Sequence, residues 1–376
     1  MRTELCDRFG IDYPIFVFTP SEKVAAAVSR AGGMGVLGCV RFNHPDDLDA
    51  VLRWMDENTD GKPYGVDVVM PAKVPTEGTA VDIDKLVPQD HRDFVTKTLA
   101  DLGVPPLPED AARNEGTLGW LHSIARSHVE VALKHPIKLI ANALGSPPKD
   151  VIDQAHAVGV PVAALAGSAK HAQRHADNGV DIVIAQGHEA GGHTGEIGSV
   201  VLWPEIVDGL AESSPDTAVL AAGGIGTGRQ VAAALALGAS GVWMGSAFLT
   251  AQEYDLGVRS GEGPSVIQQA LLAATSADTV RRRIYSGKPA RLLKSRWTDA
   301  WDAEGAPDPL PMPLQNVLVS EAHQRMSASA DPTTVAMPVG QIVGRMNQIR
   351  PAADIIAELV AGFEAATRRL DGIRDS

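Results

Sequence analysis

The sequence predicts a (β/α)8 barrel with a mainly helical insertion after its third strand and a helical C-terminal extension. Three observations lead there. Short apolar runs alternate with amphipathic helices, the pattern of parallel strands joined by crossovers. The runs are uniformly apolar rather than alternating, which suits strands buried on both faces. Eight strand–crossover units follow one another, which fits a closed barrel better than an open doubly wound sheet.

In chain order, residues 14–18 (PIFVF) read as the first strand. Ser21 caps the next helix, with Glu22 in its first turn, and Gly32-Gly33 ends it. Met34 to Gly38 is the second strand, and Pro45 to Glu57 a helix with Leu48, Val51, Leu52 and Met55 on one face. Tyr64 to Met70 is the third strand. Pro71 to His135 is rich in Pro, Asp and Glu, with helix-like pieces near Arg92–Leu102 and Asn114–Lys134; it reads as an inserted cap or lid. Ile137–Ala141 and Val160–Leu165 are strands four and five, with helices over Pro147–Val158 and Ser168–Asn178. Strand six is Ile182–Ala185, followed by a helix at Trp203–Leu210. Strand seven is Ala218–Ala222, followed by a helix at Gly228–Leu237, and strand eight is Gly241–Met244. The barrel therefore comprises residues 1–70 and 136–250, the insertion 71–135, and a helical region 251–376 that packs on the barrel. Pro351–Arg369 is amphipathic, with Ile355, Leu359 and Phe363 on its apolar face. That face suits packing on its own barrel or on a second copy in a homo-oligomer, and the sequence leaves both open.

Composition narrows the function. With 376 residues and 44% hydrophobic content, a sizeable core is available. A formal net charge of −13 argues against nucleic acid or anionic membrane as partner. Cys6 and Cys39 are the only cysteines, which implies no disulfide framework and a reducing, cytoplasmic setting. Cys39 lies in an apolar run and reads as core. No apolar run approaches the roughly 18 residues of a membrane span, and no leader-like segment opens the chain.

The chemistry concentrates in Asp181–Ser199, DIVIAQGHEAGGHTGEIGS. Five glycines fall within residues 187–198, and glycine loses extra backbone entropy on folding. Such a loop is usually retained because something approaches its backbone closely. Two known patterns fail. Gly187 to Thr194 has His193 where a phosphate-binding P-loop needs lysine. His188 and His193 stand five apart, not the four of a zinc-protease helix, and Gly191-Gly192 would break that helix. No metal site is expected. A structural glycine turn with solvated histidines is the alternative.

In barrels of this kind functional groups sit at the C-terminal ends of the strands, and the last two loops frequently hold a phosphate. Strand seven runs into Gly223-Gly224-Ile225-Gly226-Thr227-Gly228 and then a helix; strand eight ends in Met244-Gly245-Ser246. Glycine lets backbone N–H groups approach a phosphate, and a helix N-terminus adds partial positive charge. The dinucleotide fingerprint fails, because its third glycine falls at Arg229. The two turns point to a single phosphate, as in FMN. Tight turns without a ligand are the alternative.

QGHEAGGHTG (186–195), AAGGIGTG (221–228) and MGSAF (244–248) together resemble the nitronate monooxygenase family, formerly called 2-nitropropane dioxygenases. The likeness extends more weakly to SGKPARLLKSRWTDAW (286–301) and PMPLQNVL (311–318). Flavin-dependent enoyl reductases and some quinone reductases share this signature. The resemblance implies FMN on the barrel: Gln186, Gly191 and Gly192 would contact the flavin. Gly223, Gly224, Trp243, Met244, Gly245 and Ser246 would hold its phosphate and ribityl chain. His193 would face the substrate. Asp67 stands where the family usually has asparagine; an ionised carboxylate only accepts hydrogen bonds, so it would meet the flavin N3–H or be protonated.

The chemistry fits these residues. A nitronate is already a carbanion equivalent. A neutral nitroalkane must lose a proton, and imidazole has the only unperturbed side-chain pKa near neutrality, which makes His193 the expected general base. His188 reads as structural, and Lys138 and Lys170 as surface groups. The expected activity is FMN-dependent oxidation of alkyl nitronates by O2. A flavin-dependent reductase of an enoyl or acyl thioester or a quinone is the alternative enzyme, and a non-catalytic flavin-binding barrel the alternative outside catalysis.

Overall fold

The computed structural model describes residues 1–70, 83–107, 122–259 and 261–374. Its centre is a closed, all-parallel barrel. The strands are β1 (Ile15–Thr19), β2 (Met34–Gly38), β3 (Tyr64–Val68), β4 (Leu139–Asn142), β5 (Val162–Ala166) and β6 (Ile182–Gln186). A two-residue strand, β7 (Gly192–His193), lies outside the barrel, and β8 (Ala218–Ala222) and β9 (Gly241–Met244) complete it. β9 pairs with β1 at Ile15↔Val242, which closes the ring.

The expected barrel strands are all present, shifted by a residue or two where the apolar run overshoots. β4 begins at Leu139, because Ile137 and Lys138 precede it as a connector; the Lys138 N–H bonds the Tyr64 carbonyl. The helix at Ser21 forms as the local signals require: the Ser21 hydroxyl accepts from Val24 N–H. An unpredicted helix, Glu4–Phe9, puts Leu5, Cys6 and Phe9 in the same buried cluster as the inward residues Phe16, Val36, Ile184 and Leu220. It closes the barrel interior with apolar bulk. Six residues with mixed polarity give too little periodicity to detect it in sequence.

Two further apolar clusters pack helices around the strands, one over β2–β5 and one over β1, β6, β8 and β9. The extension after residue 250 is mostly helical and adds a hairpin, β10 (Thr279–Arg282) and β11 (Ala290–Leu293). β11 pairs antiparallel with β7, so this hairpin reaches into the loop that follows β6. The helix Leu314–Ala328 packs with Gln89–Asp101 of the inserted stretch, sharing a cluster with Val95, Leu99, Trp297 and Trp301. The helix His122–Ala132 lies within the second expected helical piece, whose residues 114–121 fall outside the described residues.

The terminal helix, Ala352–Arg374, packs on its own barrel. Ile355 and Leu359 are buried, while Leu370 and Ile373 in the last turns are exposed. Its approach is close: a Cβ on Gly228 would lie 2.2 Å from both the Leu359 carbonyl oxygen and the Phe363 nitrogen. Among the described residues, no helix is long and apolar enough to cross a membrane.

Candidate active site

A cavity of about 950 Å³ opens at the C-terminal ends of the barrel strands. Asp67, Gln186, Gly191, Gly192, His193, Gly223, Gly224, Trp243, Met244, Gly245 and Ser246 all line it. The sequence separates these residues by up to 179 positions, and the barrel brings their strand ends to one mouth. Lys138 and Lys170 are exposed and outside it.

The ends of β6 and β8 are tied together beneath the cavity. Trp203 Nε1 lies 3.1 Å from each of the Ala185 and Ala222 carbonyl oxygens. Gly223 and Gly224 then turn with φ of 102° and 70°, conformations that glycine adopts without strain. Gln230, in the first turn of the next helix, braces this bend. Its Oε1 accepts from Gly226 N–H and Thr227 Oγ1 at 3.0 Å, and its Nε2 donates to the Gly224 carbonyl. Ser246 Oγ accepts from Gly340 N–H at 2.9 Å, which leaves its own proton free to donate.

The loop after β6 is crowded by its own chain. A Cβ on Gly187 would lie 2.1 Å from Ser199 Oγ, and one on Gly195 2.6 Å from the Gly167 carbonyl oxygen. One on Gly191 would lie 2.7 Å from the Val339 carbonyl carbon. At each of these three glycines a side chain would collide with another part of the protein. Glu189 is structural as well. Its carboxylate accepts from Ser199 N–H (2.9 Å) and Oγ (2.8 Å) at the start of the helix Ser199–Ser213, where negative charge is favourable. His188 does not line the cavity; its Nδ1 lies 3.2 Å from the Gly195 carbonyl oxygen.

The hairpin β10–β11 fixes this loop from outside. Arg291, 4% exposed, donates from Nε and Nη2 to the His188 carbonyl at 3.1 and 3.0 Å. Arg281 donates from Nε and Nη2 to the hydroxyl and carbonyl of Thr194 and pairs with Glu196 at 2.6 Å. His193 is thereby held in register opposite Ala290. Its Nε2 lies 2.6 Å from Ser286 Oγ, and that oxygen also accepts from Lys288 N–H at 3.3 Å. Tyr285 packs edge-on to the imidazole, its ring centre 6.4 Å away, and stacks in turn on His323.

Desolvation shifts the ionisable groups of the cavity. Burial, reinforced by the Lys288 cation, pushes His193 down from the ordinary imidazole range to about 4. It is neutral at physiological pH, and a weaker proton acceptor than an unperturbed histidine. Burial lowers Lys288 and also holds His323 at about 4. Asp67 is 3% exposed, and burial alone raises its carboxyl to about 8. Cys39 is buried core, its thiol pushed up by burial.

Sequence reasoning missed Ser286, Tyr285, Lys288, His323, Arg281 and Arg291. The available signal was the weaker likeness in SGKPARLL, which starts at Ser286. Contact across roughly a hundred residues has no local pattern to reveal it.

The family model for nitronate monooxygenase matches residues 3–362. This chain belongs to the nitronate monooxygenase family. It is 46% identical over 386 residues to a Mycobacterium tuberculosis protein named as a candidate monooxygenase, covering 99% of both chains. It is 28% identical over 378 residues to a Staphylococcus aureus protein (strain Newman) named as a candidate nitronate monooxygenase, covering 96% of both. Among solved structures it is similar to the nitroalkane oxidase of Streptomyces ansochromogenes (TM-score 0.77, 27% identity, 97% of this chain and 99% of that one). It is also similar to FabK from Thermotoga maritima (TM-score 0.74, 26% identity, 99% of each chain). The family member described here is a flavin oxidoreductase on a (β/α)8 barrel.

Proposed function

We propose that this enzyme binds FMN and oxidises alkyl nitronates with O2 to a carbonyl compound and nitrite, without consuming NADH or NADPH. The observation that carries the reading is the position of His193. A neutral imidazole, fixed by Ser286 and the β7–β11 pairing, lines the same cavity as two glycine turns suited to one phosphate. The residues fit FMN. Gly223, Gly224, Gly245 and Ser246 would take the phosphate and ribityl end, with Trp243 and Met244 beside them. Gln186, Gly191 and Gly192 would meet the ring, and Asp67 its far edge. Bound FMN supplies an electron acceptor within the cavity.

The chain's own groups do the rest. Lys288, half-buried and beside His193, favours an anionic nitronate over a neutral molecule. Neutral His193 can take the α-proton of a nitroalkane, and the nitronate anion formed beside it favours the protonated imidazole. The resulting imidazolium would then stabilise the anionic group it has made. The cavity volume is at the upper end for small-molecule sites and leaves room for a substrate larger than a short nitroalkane. The two buried, reduced cysteines and the acidic surface accord with a cytoplasmic enzyme.

The similarity to FabK supports a second reading, an FMN-dependent reductase using NADH or NADPH. Anaerobic visible spectroscopy separates the two. The purified protein should carry an oxidised-flavin spectrum that a nitronate bleaches and NADH or NADPH does not. Rapid bleaching by a pyridine nucleotide, with none by the nitronate, would replace the first reading with the second. A colourless protein that binds no added flavin would sink both.

A further inference from the structure

Asp67 is an unusual group to find in this cavity. It is the only carboxyl among the described residues that line it. It is 3% exposed, and its carboxyl has no hydrogen bond or ion pair among the described residues. None of its neighbours among the described residues forms an ion pair with it. On the β2 side stand the Cys39 thiol and Arg41, which pairs with Glu22 through Nη2 at 2.6 Å and keeps its Nε buried without a partner among the described residues. On the β4 side stand Ala141 and Asn142; the Asn142 amide is committed to Met70 and Gly145. His171, Arg174, His175, His193 and Lys288 line other parts of the same cavity, and burial raises the Asp67 carboxyl. Position completes the picture. In the ring order β1-β2-β3-β4-β5-β6-β8-β9, β3 lies four strands from β8, on the opposite side of the mouth from the glycine turns. An elongated ligand with its phosphate on those turns and its ring across the mouth ends at Asp67.

The pyrimidine edge of a flavin presents acceptor, donor, acceptor: a carbonyl, the N3–H and a second carbonyl. A neutral carboxyl presents a donor and an acceptor side by side, so it forms two hydrogen bonds with that edge. A carboxylate presents two acceptors. One would take the N3–H, the other would face a carbonyl oxygen, and the charge would stay desolvated. We propose that Asp67 binds the flavin's pyrimidine edge as the neutral acid, donating to a ring carbonyl and accepting from N3–H, so that cofactor binding weakens in alkali. The proposal rests on the flavin reading above and specifies the protonation state in which the protein binds its cofactor.

The test is titration of apoprotein with FMN, followed by flavin fluorescence, from about pH 6 to about pH 9, below flavin N3–H ionisation. For the native chain, Kd should rise towards tenfold per pH unit once Asp67 ionises above about 8. For Asp67→Asn, which keeps one donor and one acceptor, Kd should vary little with pH. A native Kd that is flat, or that tightens with rising pH, overturns the proposal while leaving the flavin reading intact. If neither protein binds FMN, the flavin reading falls and takes this one with it. Infrared difference spectra of the two apoproteins at neutral pH give a flavin-free check. A protonated-carboxyl C=O band present in the native chain and absent in Asp67→Asn supports the proposal; its absence from both overturns it.

Discussion

At the scale of single residues, His193 and Asp67 make the same point with opposite signs. Burial disfavours the charged form of each, so the base loses proton affinity and the acid keeps its proton. Neither shift follows from residue type. For His193 this sets an expectation for the pH profile. The residue must be unprotonated to act as a base, so activity on a neutral nitroalkane falls as pH drops through its pKa. With that value at about 4, the acid limb of kcat/KM should lie well below pH 6.5. A limb at the ordinary imidazole value would show that bound flavin restores the lost basicity. Replacing His193 with Asn should retain bound flavin and much of the activity on a preformed nitronate, while lowering nitroalkane activity by roughly a hundredfold or more, the usual scale of general-base loss. Steady-state rates on the two substrates decide it. Equal loss on both would remove the proton-abstraction role.

At the scale of elements, the site depends on a contact between pieces of chain far apart in sequence. β7 has two residues and no independent reason to be a strand; it exists because β11 offers a free edge. Arg291 secures that pairing by filling the His188 carbonyl with two donors. Truncating Arg291 to Met leaves that carbonyl unsatisfied in a buried place, a cost of about 1–3 kcal/mol. The expected result is a lower midpoint of urea unfolding together with weaker FMN retention, because residues 188–196 lose their outer support. Unchanged flavin affinity would mean that the loop holds its shape without the hairpin. The barrel strands, by contrast, were legible in the sequence almost to the residue. Their apolar runs, glycine stops and helix caps are local, and Ser21 shows a cap working as written. The hairpin escaped because its strands are short and its residues mixed, with no more than a few positions to show a period.

At the scale of the whole molecule, the extension after residue 250 returns to the barrel in several places. The hairpin braces the loop after β6, residues 337–341 run beside it, and the terminal helix packs on Gly228 at the start of the helix that follows the glycine turn after β8. Gln341 N–H donates to the Glu189 carbonyl at 2.9 Å, and Gly340 to Ser246, so one segment touches both the loop after β6 and the turn after β9. Gly228→Ala tests this coupling. Its Cβ cannot fit against the Leu359 carbonyl, so the terminal helix must shift, at the roughly 1–3 kcal/mol typical of overpacking. A fall in thermal midpoint is expected, accompanied by weaker FMN binding because the same residue begins the helix behind the glycine turn. A destabilised protein with unchanged FMN affinity would confine the role of the terminal helix to stability.

The sequence by itself determined the barrel, its functional end, the two glycine turns and the nomination of His193. Each is encoded in short-range features: the apolar character of five residues, a helix start, a run of glycines. Only the tertiary structure decided what those residues are. It assigned Gly187, Gly191 and Gly195 to contacts within the chain, made Glu189 a helix-end partner, and brought Ser286 and Lys288 to His193. It also left Asp67 buried, with no partner for its carboxyl among the described residues. The physical reason is that hydrogen-bond partnership and desolvation depend on which distant atoms surround a group. Closing the barrel and docking the hairpin set those surroundings, and no local pattern records them.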